Sequence, residues 1–393
     1  MSDSRAKAQA ARLFDSTISM LASYGFAVVI LSFLLILTFL GTLEQVDHGL
    51  YAVQKKYFDS LFLVHHLFGK LPILLPGVYL LMALLFVNMT IGAIIRANKS
   101  WRFPGMLIAH SGILVLLAGG FVAHHFSTSG GLQLYEGQAS SQFTSYYDWV
   151  IEVRRHDDQG GTTVYTLPAK ALKHIHPGDE RKFTHDALPF DVSVSGYALN
   201  ARPRPAGGSS AYAAVDGFYL QSMPRDPEAE ANVAGAYVSL NEKQGGAAHE
   251  AIVWGYEYAP FVATIGGETW SVSMSRQKWV MPFTILLDDF TVEMHPNTGI
   301  AKVFLSDVTK IEGRSQEKVK ITMNEPFRYK GYTLFQSTWG PSDAAPGTPL
   351  YSGFSVVKNP ADHWPLVSCI IVGIGMLIHF FQRLLSHIRM RAS

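Results

Sequence analysis

The chain has 393 residues, a formal net charge of +1 and only 16% charged residues, which excludes a disordered polyelectrolyte and a polybasic nucleic-acid binder. Its single cysteine, Cys369, excludes an intramolecular disulfide, a thiolate zinc site and covalent haem attachment through Cys-x-x-Cys-His. The hydrophobic share of 48% is unremarkable as a mean but averages two unlike parts of the chain.

Ser16 to Leu43 contains no Asp, Glu, Lys or Arg. Crossing a bilayer core takes roughly 20 apolar residues in a helix, so 16–43 is predicted as a first span after a basic tail over 1–15. A cleaved signal peptide fits less well, because its apolar region is shorter and ends in a small-residue cleavage site. Charge-free runs also mark a second span over 71–95, a third over 103–125 and a fourth over 364–382. Four spans put both termini on one side. Arg5, Lys7 and Arg12, then Arg96, Lys99 and Arg102 in the 96–102 loop, then Arg383, Arg389 and Arg391 in the 383–393 tail share that side. The positive-inside rule makes it cytoplasmic, which leaves the 44–70 loop and residues 126–363 outside.

Residues 126–363 alternate in the manner of strands, as in Trp149-Val-Ile-Glu-Val153 and Phe190-Asp-Val-Ser-Val-Ser195, and are broken by turn signals such as Pro177-Gly178, Asn297-Thr-Gly299 and Lys330-Gly331. This predicts an extracytoplasmic all-β domain, sandwich-like or barrel-like, beside the membrane helices. Asn200 to Gly246, rich in Pro, Ala and Gly, reads as an insertion or long loops.

Polar groups within spans are functional candidates, because each costs several kcal/mol unless partnered. Four stand out: Asn88, His110, His379 and Gln382. His110 and His379 fall at similar depths in antiparallel spans, and neutral imidazoles are good axial ligands for haem iron. An interhelical hydrogen bond is the competing reading for His110, and snorkelling towards headgroups for His379. A second group, His65, His66, His124, His125 and His363, collects at the outer ends of the spans, as a metal or haem docking surface or as interfacial residues. His174-Ile-His176 places two imidazoles on one strand face. The adjacent Asp288 and Asp289 would point to opposite faces and share no substrate. The sequence holds no nucleophile elbow, phosphate-binding loop or dinucleotide fingerprint, so no catalytic residue is assigned.

Several segments, in order, resemble the ResB/CcsB family of System II cytochrome c synthesis. They are Gly41-Thr-Leu-Glu-Gln45, Tyr57-Phe-Asp-Ser60, Pro282 to Phe290, Phe304 to Val308, Asn324-Glu-Pro326, Gly331-Tyr332, Phe335-Gln-Ser337 and Val356 to Pro360, with Phe335 where the family has tyrosine. The resemblance implies an accessory subunit of a haem lyase complex in the cell inner membrane. Such a subunit works with a CcsA/ResC-type partner to carry haem across the bilayer and deliver it to apocytochrome c. It implies non-covalent haem b shared with the partner, and it matches the family's third-span histidine to His110, leaving His379 without a clear counterpart. The partner's Trp-Trp-Asp haem-presenting motif is absent from this chain. Two other readings stay open: a membrane electron carrier holding haem between His110 and His379, and a structural subunit of another membrane complex.

Overall fold

The computed structural model describes residues 2–67, 69–95, 104–156, 161–176, 178–207, 214–243, 245–296, 301–341 and 348–392. The predicted 96–102 loop with Arg96, Lys99 and Arg102, and the Asn297-Thr-Gly299 turn, lie outside them. The chain divides into two compact units, Met1–Thr128 with Asn359–Ser393, and Ser129–Lys358.

The first unit is built from α1 (Ser2–Leu21), α2 (Tyr24–His48), α3 (Val78–Met89, continued by π-helical turns over Thr90–Ile95), α4 (Pro104–Phe126) and α5 (Trp364–Ala392). A hairpin of β1 (Phe62–Leu67) and β2 (Leu71–Pro76) precedes α3. Among the described residues four helical stretches are long and apolar enough to cross a membrane: Tyr24–His48, Val78–Ile95, Pro104–Phe126 and Trp364–Arg391.

Their ends depart from the charge-free runs for local reasons. The predicted first span begins at Tyr24 rather than Ser16. Ser23 turns extended (φ −81°, ψ 146°) and its side chain accepts from the Phe26 N–H at 3.1 Å, an N-cap that divides two helices. Residues 71–76 are a strand and not the start of the second span. Pro72 and Pro76 lack donors and suit a two-stranded hairpin whose outer edges need none. Gly77 then approaches the Ser60 backbone so closely that a Cβ would overlap Ser60 O.

Asn88, singled out as a polar span residue, holds the α1–α2 break. Its Nδ2 donates to the carbonyls of Leu21 (2.6 Å) and Ser23 (3.1 Å), which gives it a structural role. On α4, Gly105, Gly112 and Gly119 recur at seven-residue spacing and face α5. Without side chains there, the backbones close, and the buried Ser368 hydroxyl donates to Gly112 O at 2.7 Å.

Among the described residues every strand pairing of the second unit is antiparallel. Its strands are β3 (Thr128–Tyr135), β4 (Ala139–His156), β5 (Thr162–Leu167), β6 (Glu180–Phe183), β7 (Phe190–Ala198), β8 (Ala201–Pro205), β9 (Phe218–Ser222), β10 (Gly235–Glu242), β11 (Ala248–Trp254) and β12 (Phe261–Ile265). They continue with β13 (Glu268–Met294), β14 (Ala301–Glu312), β15 (Ser315–Thr322), β16 (Phe327–Tyr329), β17 (Tyr332–Gly340) and β18 (Tyr351–Lys358). A ten-stranded sheet runs β15-β14-β13-β4-β3-β18-β17-β16, with β5 on β4 and β12 on β13. A four-stranded sheet, β11-β10-β7-β6, packs on part of it.

Register shifts near residues 276–285 bend β13, so one strand serves two cores. Trp149, Ile151, Phe190, Val192, Val238 and Trp270 fill the first, between the sheets, and Phe143, Phe283, Leu334 and Phe354 fill the second. Residues 200–246 are not simply loops. β10 alternates Ala236, Val238 and Leu240 into the core and lies central in its sheet, because small side chains hid its period in composition. His174 and His176 sit in a turn after a single helical turn, both exposed around the buried Ile175, rather than on a strand face.

Candidate functional site

The candidate residues of the first unit form two groups. The inner one starts with His110, the seventh residue of α4. Its Nδ1 lies 2.8 Å from the Met106 carbonyl, one turn earlier. A carbonyl only accepts, so Nδ1 carries the proton and the Nε2 lone pair points away from the helix backbone. Among the described residues Nε2 has no hydrogen-bond partner.

Helix geometry sets where that lone pair looks. Gly105, which packs on α5, is five residues away, so His110 projects about 140° around the axis from the α4–α5 seam. His379 instead lies at the seam, where a Cβ on Gly105 would stand 2.5 Å from its backbone nitrogen. Gly105 is thus level with His379, and Gly112 with Val372. His110 and His379 are offset by about five residues, roughly 7.5 Å along the axis. The similar depth expected from antiparallel spans is not what the helices make, and the two imidazoles do not converge. Gln382, the last of the four singled-out span residues, has a buried Oε1 without a partner among the described residues.

The outer histidines also separate. His65 on β1 is drawn into a network that sequence reasoning missed. Tyr57, fully buried, donates its hydroxyl to Glu44 Oε2 at 2.6 Å, and its oxygen lies 2.6 Å from His65 Nδ1. Lys56 Nζ donates to Glu44 Oε1 at 2.6 Å. Burial pushes the Tyr57 phenol well above its usual pKa, and the bond to Glu44 and that carboxylate's charge push it further, so it stays a neutral donor.

His125 has both ring nitrogens engaged, Nδ1 at 3.1 Å from Phe121 O and Nε2 at 3.5 Å from the Tyr79 hydroxyl. His66 points to the opposite face from His65 and is exposed, as is His363. His124 differs from the rest. Its Nδ1 lies 3.6 Å from Asp59 Oδ1, and it lines a cleft of about 520 Å³. That cleft is also bounded by Gly41, Thr42, Gln45, Phe58 and Asp59, so the two N-terminal family-like segments meet in one place. They meet because α2 runs on past Leu43 to His48, which sets Gly41, Thr42 and Gln45 on one helical face.

In the second unit, a groove of about 390 Å³ on β4, β5 and β13 is occupied chemically by its own ion pairs. Glu152, almost fully buried, takes Arg154 as a hydrogen-bonding partner, with Lys278 at 3.4 Å. Asp288 and Asp289 do point apart, the first accepting from Thr309 (2.6 Å) and the second from Thr291 (3.3 Å).

The residues that carry the C-terminal resemblance here are structural. Lys330 (φ +47°) and Gly331 (φ +77°) form a two-residue type I′ turn joining β16 to β17. Gln336 accepts from the Ser306 hydroxyl at 2.7 Å and donates to Ser352 Oγ at 2.9 Å, tying β17 to β14 and β18 through two fully buried serines.

Helices and strands together define a polytopic membrane protein with a large β-rich domain. A likeness to a known family is carried by the β domain. The model of the ResB-like family matches residues 233–350, from the start of β10 to beyond β17. The match covers under a third of the chain, supports the resemblance to the ResB/CcsB family, and brings the cytochrome c biogenesis role that this family implies. No curated protein matches the chain.

Proposed function

We propose that this chain is the ResB-type subunit of a System II cytochrome c synthase. In this reading it handles haem in the membrane with a CcsA/ResC-type partner, and the haem is delivered to apocytochrome c. The family match and the four apolar helices support the class, and the geometry of His110 carries the haem assignment. A neutral imidazole with its proton fixed on Nδ1 and its Nε2 lone pair free is the form that ligates iron. Because His110 faces away from α5, its counterpart ligand comes from another subunit and not from His379. That disfavours the single-chain electron carrier.

When bound, haem b supplies the iron porphyrin that is later joined to the cytochrome's cysteines. This chain's residues hold and orient it. His110 would hold the iron through Nε2, the Met106 carbonyl at 2.8 Å from Nδ1 would keep the ring's orientation, and the close α4–α5 pair keeps the helix that carries them in place. The apolar surroundings of a span lower the dielectric around the iron and exclude water. In this reading the chain termini are cytoplasmic, as the positive-inside rule favours, and the β domain faces the side where apocytochrome c is met.

The test is cytochrome c maturation in a strain that depends on this chain, scored by haem staining of denatured membranes. His110→Ala should abolish the covalent haem signal while the chain still accumulates, and His379→Ala should retain it. Wild-type maturation in the His110→Ala strain would refute the assignment.

A further inference from the structure

The β1–β2 hairpin has two unlike faces. Its register sets Leu63 and Leu75, then His65 and Ile73, on one face, and Phe62 and Pro76, Val64 and Leu74, then His66 and Pro72, on the other. The first face turns inward. Leu63 is buried in the same core as Val78 and Leu81 of α3, and His65 reaches the bonded pair of Tyr57 and Glu44. The second face is open and apolar: Phe62 is 61% exposed, Val64 45% and Leu74 69%, and Pro72 is exposed among them with His66 as the one polar member. A patch of this kind is unfavourable in water and marks a surface that something covers.

We propose that lipid covers it, and that the hairpin lies along the headgroup region of the bilayer as an interfacial foot beside the spans. The proposal rests on the membrane reading of the helices and is independent of the haem assignment.

Two anchors set the depth. At the base of the hairpin the Gly77 N–H donates to Leu61 O at 2.7 Å, and the next residue, Val78, begins a span. Halfway along, His65 is joined through Tyr57 to Glu44. Tyr24 to Leu43 of α2, uncharged throughout, make about 30 Å of helix, the thickness of the hydrocarbon core, so Glu44 stands where α2 leaves it. Both anchors are thus at the end of a span, and the hairpin between them follows the membrane surface.

The backbone sets the same depth. A two-stranded sheet has two open edges, relieved only in part by Pro72 and Pro76, and unpaired N–H and C=O groups are not tolerated in hydrocarbon. In the headgroup region water satisfies those groups while the apolar side chains reach the acyl boundary. Lys70 at the exposed tip then carries its charge at the level of the lipid phosphates. Lipid accounts for this end of the unit better than one docked protein does. Val46 and Leu50, on other elements just past Glu44, are apolar and exposed as well, which suits a surrounding phase.

The test uses the full-length chain with Cys369→Ser and one new cysteine carrying a bimane label, in nanodiscs of phosphatidylcholine and phosphatidylglycerol. Quenching by iodide in the buffer is compared with quenching by lipid that bears a nitroxide just below the glycerol. Labels on Val64→Cys and Leu74→Cys should be quenched about threefold more by the nitroxide lipid than by iodide, and a label on Thr163→Cys, exposed on β5, should show the reverse. A label on Leu35→Cys, exposed in the middle of α2, reports the membrane reading itself. Iodide quenching at Leu35→Cys would refute the span. Lipid quenching there, with Leu74→Cys as open to iodide as Thr163→Cys, would refute only the placement of the hairpin. Labels at Val64→Cys and Leu74→Cys shielded from both quenchers, or losing lipid quenching when the chain is co-purified with a partner membrane protein, would assign the face to protein and overturn the proposal too.

Discussion

Gly105→Ala on α4 sets two effects against each other. In a free helix interior alanine is favoured over glycine by about 1 kcal/mol. At residue 105 the added Cβ would stand 2.5 Å from Gly375 O, 2.5 Å from His379 N and 2.9 Å from His379 Cα. All three are backbone atoms, so no rotamer change relieves them, and the helices must part by about 1 Å to reach ordinary van der Waals separation. Forced overpacking costs about 1–3 kcal/mol, and backbone on the receiving side places this case at the upper end, leaving a net loss of about 2 kcal/mol. Gly373, two residues from Gly375 on α5, is the internal control, since a Cβ there meets nothing within 4 Å. Gly373→Ala should keep the propensity gain of up to about 1 kcal/mol. Unfolding of the full chain in mixed micelles by titration with sodium dodecyl sulfate, followed by circular dichroism, reads both. A Gly105→Ala chain as stable as wild type, or a Gly373→Ala chain less stable than it, would refute the close-packed seam.

The β domain supplies three more predictions. Arg276 is half buried, its guanidinium donating to the carbonyls of Tyr146 (2.5 Å) and Glu230 (2.7 Å) and lying 4.0 Å from the Trp149 ring, so Arg276→Met should cost about 2–4 kcal/mol in chemical denaturation. Gly331→Val forces a β-branched residue to φ +77° in the β16–β17 turn and should cost about 1–3 kcal/mol by the same assay, whereas Lys330→Gly should be close to neutral. Burial alone would raise the Glu152 pKa, but the Arg154 hydrogen bond and the Lys278 charge outweigh it and hold the carboxyl below its usual range. A carboxyl depressed in the folded state contributes stability above its unfolded pKa of about 4.3, and that contribution is lost as pH falls through the folded value. Thermal unfolding measured from pH 6 down to pH 3 should therefore decline, and Glu152→Gln should flatten the decline.

The spans were legible because bilayer thickness leaves a compositional mark that local detail does not erase. Their ends were not. Ser23 breaks a run that is apolar on both sides, and Pro72 and Pro76 turn the first residues of another into a hairpin, with no change in hydropathy at either place. The β domain announced itself through alternation at Trp149–Val153 and Phe190–Ser195, while β10 did not, because Gly235 and Ala236 supply little hydrophobic contrast. His110 was legible as a polar residue in a span, yet its direction depended on which face of α4 meets α5, and the glycines that decide this looked like ordinary span residues. The pairing of Tyr57 with Glu44 was missed for a related reason. They come together only when α2 extends beyond its apolar run and β1 folds back beside it, and neither event has a sequence signature of its own.

The central claim is that His110 and a ligand from a second subunit hold haem in the membrane. The most direct measurement is the reduced-minus-oxidised absorption spectrum of the chain co-purified with its CcsA/ResC-type partner, compared for wild type, His110→Ala and His379→Ala. The account predicts a b-type haem signal in wild type and His379→Ala that is lost in His110→Ala. A signal unchanged in His110→Ala, or lost only in His379→Ala, would contradict it.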